Sequence, residues 1–337
     1  MRRKLTMALA LMLSCNLFAQ QNLNTIANTV KERITISGYA QAGFTYDNLA
    51  DPNNEFDLKR VVLTAKGEIT DRWSTTLMAN LKTGKMLEFY TDYKFFPFLH
   101  VKFGQFKTAF TLENIISSSD IDIISGGSQS VRYMTGGDGS DIMYGANSGR
   151  DLGLMVYGHF LHGFLNYELG VMNGQGMNRS DRNSHKDLVG RFTFNVFDVL
   201  KLSSSFTRGR GNALIGNPDF NIETGQNYRR DRWSMGVDFI SPFFDLRSEF
   251  LRGKDGSIKS KGAYATTNIH LLPKFDLIGS FDYFNKNRNI GDVQTDYIAG
   301  LQYWFYPKCR LQAQYVFSDS RLHKNGSSIQ AQVQIAF

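Results

Sequence analysis

Apolar and polar residues alternate along nearly the whole chain, and the alternation runs to its last residue. The closing stretch reads Ile329-Gln330-Ala331-Gln332-Val333-Gln334-Ile335-Ala336-Phe337, with apolar side chains at every odd position and glutamine at 330, 332 and 334. Successive side chains on a strand point to opposite faces, so one face of this segment suits hydrocarbon and the other suits water. A soluble sheet can show such a pattern once. Its repetition in sixteen segments, behind a secretory leader, points to a closed transmembrane β-barrel around a wet lumen.

Residues 1–19 have the layout of a signal peptide: Arg2, Arg3 and Lys4, then the apolar Met7–Leu13, then Leu17-Phe18-Ala19 before Gln20. Residues 20–33 do not alternate and read as an N-terminal periplasmic segment, which leaves 34–337 for the barrel. No later run is long and apolar enough for a membrane helix. A spanning chain without such helices can satisfy its backbone hydrogen bonds only in a closed barrel. The formal net charge is +7. Three of those positive charges lie in the leader, so the remainder is about +4, too mild and too evenly spread for a nucleic-acid partner. Past the leader only Cys309 remains, so no intramolecular disulfide is available. The chain has no HExxH, GxSxG or cysteine–histidine cluster, so no catalytic residue, metal or cofactor is expected. Gly136-Gly137-Asp138-Gly139-Ser140-Asp141 is a single copy of a repeat that binds calcium only when stacked, and it reads as a loop tip.

The periodicity predicts strands over 34–46, 56–70, 73–83, 85–95, 99–106, 150–160, 164–173, 186–197, 200–209, 230–240, 244–254, 259–270, 275–285, 293–304, 309–317 and 328–337. Short turns, several with proline, alternate with connections that are mostly longer and rich in Gly, Asn and Asp. Aromatic residues such as Trp73, Phe96, Phe98, Phe160, Phe243, Trp304 and Tyr306 crowd the short turns, as expected of an interfacial girdle. Tight turns on one side and long loops on the other place the short turns and both termini in the periplasm. Terminal Phe337 matches the strand signature expected to be recognised by barrel-insertion machinery.

An Arg or Lys facing lipid at mid-membrane costs about 2–4 kcal/mol, so charged residues are assigned inward. Alternation then makes Arg60, Lys66, Lys82, Lys94, Lys102, Arg191 and Arg247 the candidate basic lining, while Leu77, Leu87, Phe89 and Phe103 are assigned to lipid. Arg60, Lys82, Lys94 and Lys102, on four consecutive strands, are expected to form a basic wall. The connection 107–149 is far longer than any other and has room to fold into the lumen. Its charged residues Lys107, Asp120, Asp122, Arg132, Asp138 and Asp141 are the candidate constriction set.

Gly104-Gln105-Phe106-Lys107-Thr108-Ala109-Phe110 leads into that loop and Gly149-Arg150-Asp151-Leu152-Gly153-Leu154-Met155 leads out. Upstream stand Phe56-Asp57-Leu58-Lys59-Arg60-Val61-Val62-Leu63 and Tyr90-Thr91-Asp92-Tyr93-Lys94. Over about 56–160 the chain resembles the phosphate-selective porin O and P family of Gram-negative outer membranes. The resemblance implies a trimeric porin of sixteen strands with its third loop inside the pore, embedded in outer-membrane lipid. Positive residues in the loop are outnumbered by acidic ones, and inward charges on the strands are roughly balanced. That balance points to a weakly selective diffusion pore for small hydrophilic solutes or anions rather than to specific phosphate capture. The alternative is a barrel sealed by its third loop and used for adhesion or assembly.

Overall fold

The computed structural model describes residues 32–138, 148–218 and 221–337. The expected leader, most of the segment 20–33, and Asp141 lie outside them. Sixteen strands follow one another: β1 Ile34–Asp47, β2 Asn54–Thr70, β3 Trp73–Asn80, β4 Lys85–Phe96, β5 Leu99–Lys107, β6 Arg150–Phe160, β7 Leu165–Met172 and β8 Asp187–Phe197, then β9 Leu200–Asn212, β10 Asn227–Ile240, β11 Phe244–Asp255, β12 Ile258–Leu272, β13 Phe275–Asn287, β14 Asp292–Tyr306, β15 Cys309–Ser320 and β16 Gly326–Ala336. Each pairs antiparallel with its neighbours in sequence, and β16 returns to β1 to close the ring. Closure leaves no edge strand, which a lipid environment requires. At the seam Gly38 and Phe337 exchange both backbone hydrogen bonds, each 3.0 Å.

The two faces separate as the alternation predicts. Along β15, Arg310, Gln312, Gln314 and Val316 are buried while Leu311 and Tyr315 stand exposed on the outer surface. At the short-turn end the outer rings pack against one another: Phe96 stacks on Phe98 at 5.2 Å, Phe98 on Phe160 at 6.0 Å and Phe275 on Tyr303 at 4.6 Å.

Among the β-bulges that break strict alternation, two bear on the interior beside the long connection. Gln41 pairs with Arg60 but Ala42 with Leu58, so Lys59 is an extra residue on β2. The bulge lets Phe56 and Leu58 remain outside, at 88% and 47% exposure, although Arg60 and Val62 face in. Between β3 and β4, Met78 pairs with Glu88 and Ala79 with Met86, which makes Leu87 the extra residue. Leu87 then lines the interior, so its assignment to lipid is corrected. The third strand ends at Asn80 rather than 83, and Lys82 lies in the turn beyond it.

Between β5 and β6 the long connection carries two short helices, α1 Leu112–Ile115 and α2 Gln129–Met134. Inner-face side chains from around the ring hold it. Gln41 of β1 donates to the Ser118 carbonyl at 3.3 Å, and Ser205 of β9 accepts from Thr111 N–H at 2.9 Å. The Glu249 carboxylate of β11 accepts the N–H groups of Leu112 and Glu113 at 2.8 and 3.2 Å. Asp282 of β13 accepts from Gln129 N–H at 2.7 Å. On β15, Gln314 donates to the Asp122 carbonyl at 2.6 Å and accepts from Ile124 N–H at 2.9 Å, while Arg310 donates to the Ser119 and Ile121 carbonyls, both at 2.7 Å. The connection leaves β5 through a close approach: at Gly104 (φ 134°) a Cβ would strike the backbone of Phe89 and Tyr90.

Apolar packing completes the anchorage. Phe106, Phe110, Val131, Tyr133 and Met134 share a core with Met155, Met172, Val189, Leu251, Tyr264 and Phe284. A second cluster joins Ile121 and Ile123 to Ile278, Ile298 and Val316. Buried ion pairs brace the same side: Arg230 meets Asp187 at 2.5 Å and Arg232 meets Asp255 at 2.8 Å, all four side chains almost inaccessible. Removing one partner of such a pair strands the other in a desolvated site, at about 3–5 kcal/mol. Asp187 also accepts from Arg210 N–H at 2.9 Å. Asp187→Ala is therefore expected to lower barrel stability by about that amount, read as a lower denaturant midpoint in detergent. An unchanged midpoint would show that the pair contributes nothing net.

Candidate permeation site

The anchored connection leaves a cavity of about 350 Å³ against β1–β6. Among the described residues its charged lining is Lys59, Arg60, Lys107, Arg132 and Arg150 against a single acid, Glu113. Two of these cations are engaged. Lys107 donates its ammonium to the Ile116 carbonyl, and Arg150 pairs with Glu88 at 2.9 Å. Lys59, Arg60 and Arg132 have no side-chain ion pair among the described residues. Lys59 and Arg60 are adjacent in sequence, so strict alternation would send one outward. The bulge brings both to the cavity. Arg60 reaches across to the long connection, where a Cβ added at Gly126 (φ 93°) would meet its guanidinium at 3.4 Å.

Glu113 is fully buried, and burial pushes its carboxyl above the usual carboxylate range, against the opposing pull of the Ser128 N–H at 2.7 Å. Among the described residues that line this cavity, five basic side chains stand against one acid.

Toward the short turns lies a second cavity, of about 380 Å³ and the opposite balance. Asp120, Asp122, Asp238, Asp245 and Asp276 line it with Arg247, Arg310 and His270. Most of these groups are coupled: Arg247 to Asp238 at 3.5 Å, Arg310 to Asp122 at 3.8 Å and His270 to Asp276 at 2.9 Å. The long connection therefore shows two charge faces. Arg132 belongs to the cavity against β1–β6, and Asp120 and Asp122 belong to the one against β10–β15.

The residues read from alternation scatter. Arg60 lines the first cavity and Arg247 the second. Lys66 pairs with exposed Glu68 at 3.4 Å, and Lys82 pairs with Asp57 at 2.5 Å at the loop end. Lys94 is exposed beside a short turn. The Lys102 ammonium sits over the rings of Tyr90, Tyr157 and Phe106 at 4.7, 5.1 and 5.4 Å. Arg191 is bound to Glu168. The expected wall of Arg60, Lys82, Lys94 and Lys102 does not assemble, because neighbouring strands offer the last three other partners or depths. Lys59 was missed, and two adjacent basic residues within a strand were the available signal of a bulge.

A closed barrel of sixteen antiparallel strands with an apolar outer face, aromatic girdle and charged interior defines an outer-membrane porin. The solved structures of similar fold agree. An anion-selective porin from Comamonas acidovorans superposes with a TM-score of 0.68 at 12% identity, covering 90% of this chain and 99% of its own. The trimer form of OmpT from Vibrio cholerae gives 0.66 at 12%, covering 90% and 99%. Salmonella typhi OmpF in complex with daunomycin gives 0.65 at 10%, covering 90% and 97%. Among curated proteins none matches the sequence. The family model for phosphate-selective porins O and P matches residues 29–337, nearly the whole chain, and the chain belongs to that family. It is a channel of the Gram-negative outer membrane for small solutes or ions, not an enzyme.

Proposed function

We propose that this porin passes small hydrophilic solutes with a preference for anions, phosphate included, and that the cavity beside β1–β6 is where the preference is set. The observation that carries this reading is the cluster of Lys59, Arg60 and Arg132, three cations without ion pairs among the described residues, facing the buried Glu113. Charge of one sign in a cleft with low-dielectric walls raises the local concentration of counter-ions. The connection 108–138 sets the width, and on its acidic face Asp122 is paired with Arg310 at 3.8 Å. Single-channel recording across a planar bilayer tests the reading: discrete steps with chloride favoured over potassium are expected. A folded barrel that never conducts would instead mean that the connection seals it.

Assembly as a homotrimer is part of the proposal, supported by the trimeric OmpT structure of the same fold. Its expected signature is a folded mass three times that of the chain in detergent, by light scattering.

Recognition of the last strand by barrel-insertion machinery also belongs here. The Phe337 ring is 74% exposed, while its backbone closes the seam with Gly38. Phe337→Ala keeps the backbone rung and removes the ring. It is expected to reduce outer-membrane protein to a small fraction of the normal amount without blocking export. Normal amounts of heat-modifiable barrel from that variant would show that the ring is not the signal.

A further inference from the structure

One stretch of the outer face, at the loop end of β9–β13, is densely basic. Arg208, Arg229, Arg252, Lys254, Lys259 and Arg288 are all exposed there and line a cleft of about 570 Å³. The one acid among the described lining residues is Asp231, 2.5 Å from Arg229 and 3.9 Å from Arg208. The strand register sets like charges face to face on consecutive same-face rungs: Lys254 opposite Lys259, and Arg252 opposite Lys261. Like charges directly opposite one another destabilise a sheet. None of these four has an ion pair among the described residues. Two repulsive rungs side by side call for an anion between them.

The floor of the cleft tells which kind. Toward mid-membrane, Trp233 lies beside Phe250 at 5.6 Å, with Phe206 opposite Trp233 in the register. The Arg252 guanidinium lies 5.7 Å from the Trp233 ring and 5.3 Å from Phe250, and the Lys261 ammonium lies 5.6 Å from Phe250. Aromatic rings at this level suit an amphipathic neighbour. The neighbour should therefore carry anionic groups above and acyl chains below. Guanidinium and ammonium groups together match phosphate oxygens. A second copy of this chain would need an acidic outer face to fit here, and free phosphate would leave the aromatic floor uncovered.

We propose that this cleft is a binding site for a lipid with a phosphorylated headgroup in the outer leaflet. The proposal rests on the orientation that puts the long loops outside the cell. Its occupant neutralises the two like-charged rungs with its phosphates and lays its acyl chains against Trp233 and Phe250.

The test uses the folded protein in neutral detergent, with lipid A carrying both phosphates, dephosphorylated lipid A and inorganic phosphate as probes. Native mass spectrometry and thermal unfolding read the binding. Bisphosphorylated lipid A should bind and raise the melting temperature, and the other two should do neither. Replacing Arg252, Lys254, Lys259 and Lys261 by glutamine should weaken binding about a thousandfold, at about 1 kcal/mol per basic residue near an anionic surface. Lys254→Glu alone should relieve the repulsion with Lys259, so the free barrel melts higher while its lipid affinity falls. Equal binding of dephosphorylated lipid, equal stabilisation by inorganic phosphate, or unchanged affinity in the variants would overturn the proposal. Ser257→Cys, at the tip of the β11–β12 hairpin, separates the two readings through a membrane-impermeant thiol reagent on intact cells. An unlabelled tip overturns the orientation. A labelled tip without lipid binding overturns this site alone.

Discussion

Replacing Lys59, Arg60 and Arg132 together by glutamine is expected to move the reversal potential in a potassium chloride gradient toward that of a cation-preferring pore. A few unit charges in a cleft shift the local potential by several kT, so the permeability ratio should change on the order of tenfold. Among the described residues these are the cations of the cavity without ion pairs, and the other two, Lys107 and Arg150, are engaged. The effect should fade as salt rises, because the Debye length shrinks to about 3 Å at 1 M. Glutamine at Lys82 and Lys94 provides the contrast. Lys82 is paired with Asp57 at the rim, and Lys94 is exposed beside a short turn, so the reversal potential should stay where it is. If the triple variant keeps the wild-type value at low salt, the cavity does not set selectivity. If the Lys82/Lys94 variant shifts as far, selectivity is a property of the whole lumen.

Deleting residues 117–127 is expected to raise single-channel conductance severalfold while the barrel still folds. That segment holds Ile121, Ile123, Asp120 and Asp122 against the inner faces of β12–β15. It is fastened by Gln312, Gln314 and Arg310 rather than by the strand ladder itself. The ladder closes through β1 and β16 without it, so heat-modifiable migration should survive. Exposing Ile278, Ile298 and Val316 to the lumen should lower stability, since each side chain loses part of a burial worth about 1.5–3 kcal/mol. A conductance equal to the wild type would place the narrowest point elsewhere. Loss of all folded barrel would show that the inner packing, and not only the ladder, is needed to close the ring.

Alternation alone yields sixteen strands with ends within a few residues of those observed, and it sorts most side chains correctly between lipid and interior. The reason is physical. Each crossing must satisfy its backbone through its neighbours, and hydrocarbon on one side punishes every misplaced charge. The closing strand shows how far this extends. Gln332 donates to Gln312 at 3.0 Å and Gln312 to Gln302 at 3.0 Å, so one of the glutamines noted in sequence joins a ladder on the inner wall. Inward apolar residues were the signal left unused. Met155, Met172, Leu251, Ile278, Ile298 and Val316 occupy lumen positions that a water-filled pore has no reason to make greasy. Together they mark where the long connection docks.

The sequence by itself determined the barrel, its sidedness pattern and the length of the third connection, because period-two chemistry and bilayer thickness act strand by strand. Only the tertiary structure decided which charges meet. Ion pairing depends on register and bulges between strands, which no single strand encodes. Arg191 reaches Glu168 and Lys102 reaches three rings, so both are lost to the cavity. Lys59 joins Arg60 there through one extra residue in β2, and Arg132 arrives from a loop whose path is set by contacts with Ser205, Glu249 and Asp282, far away in sequence.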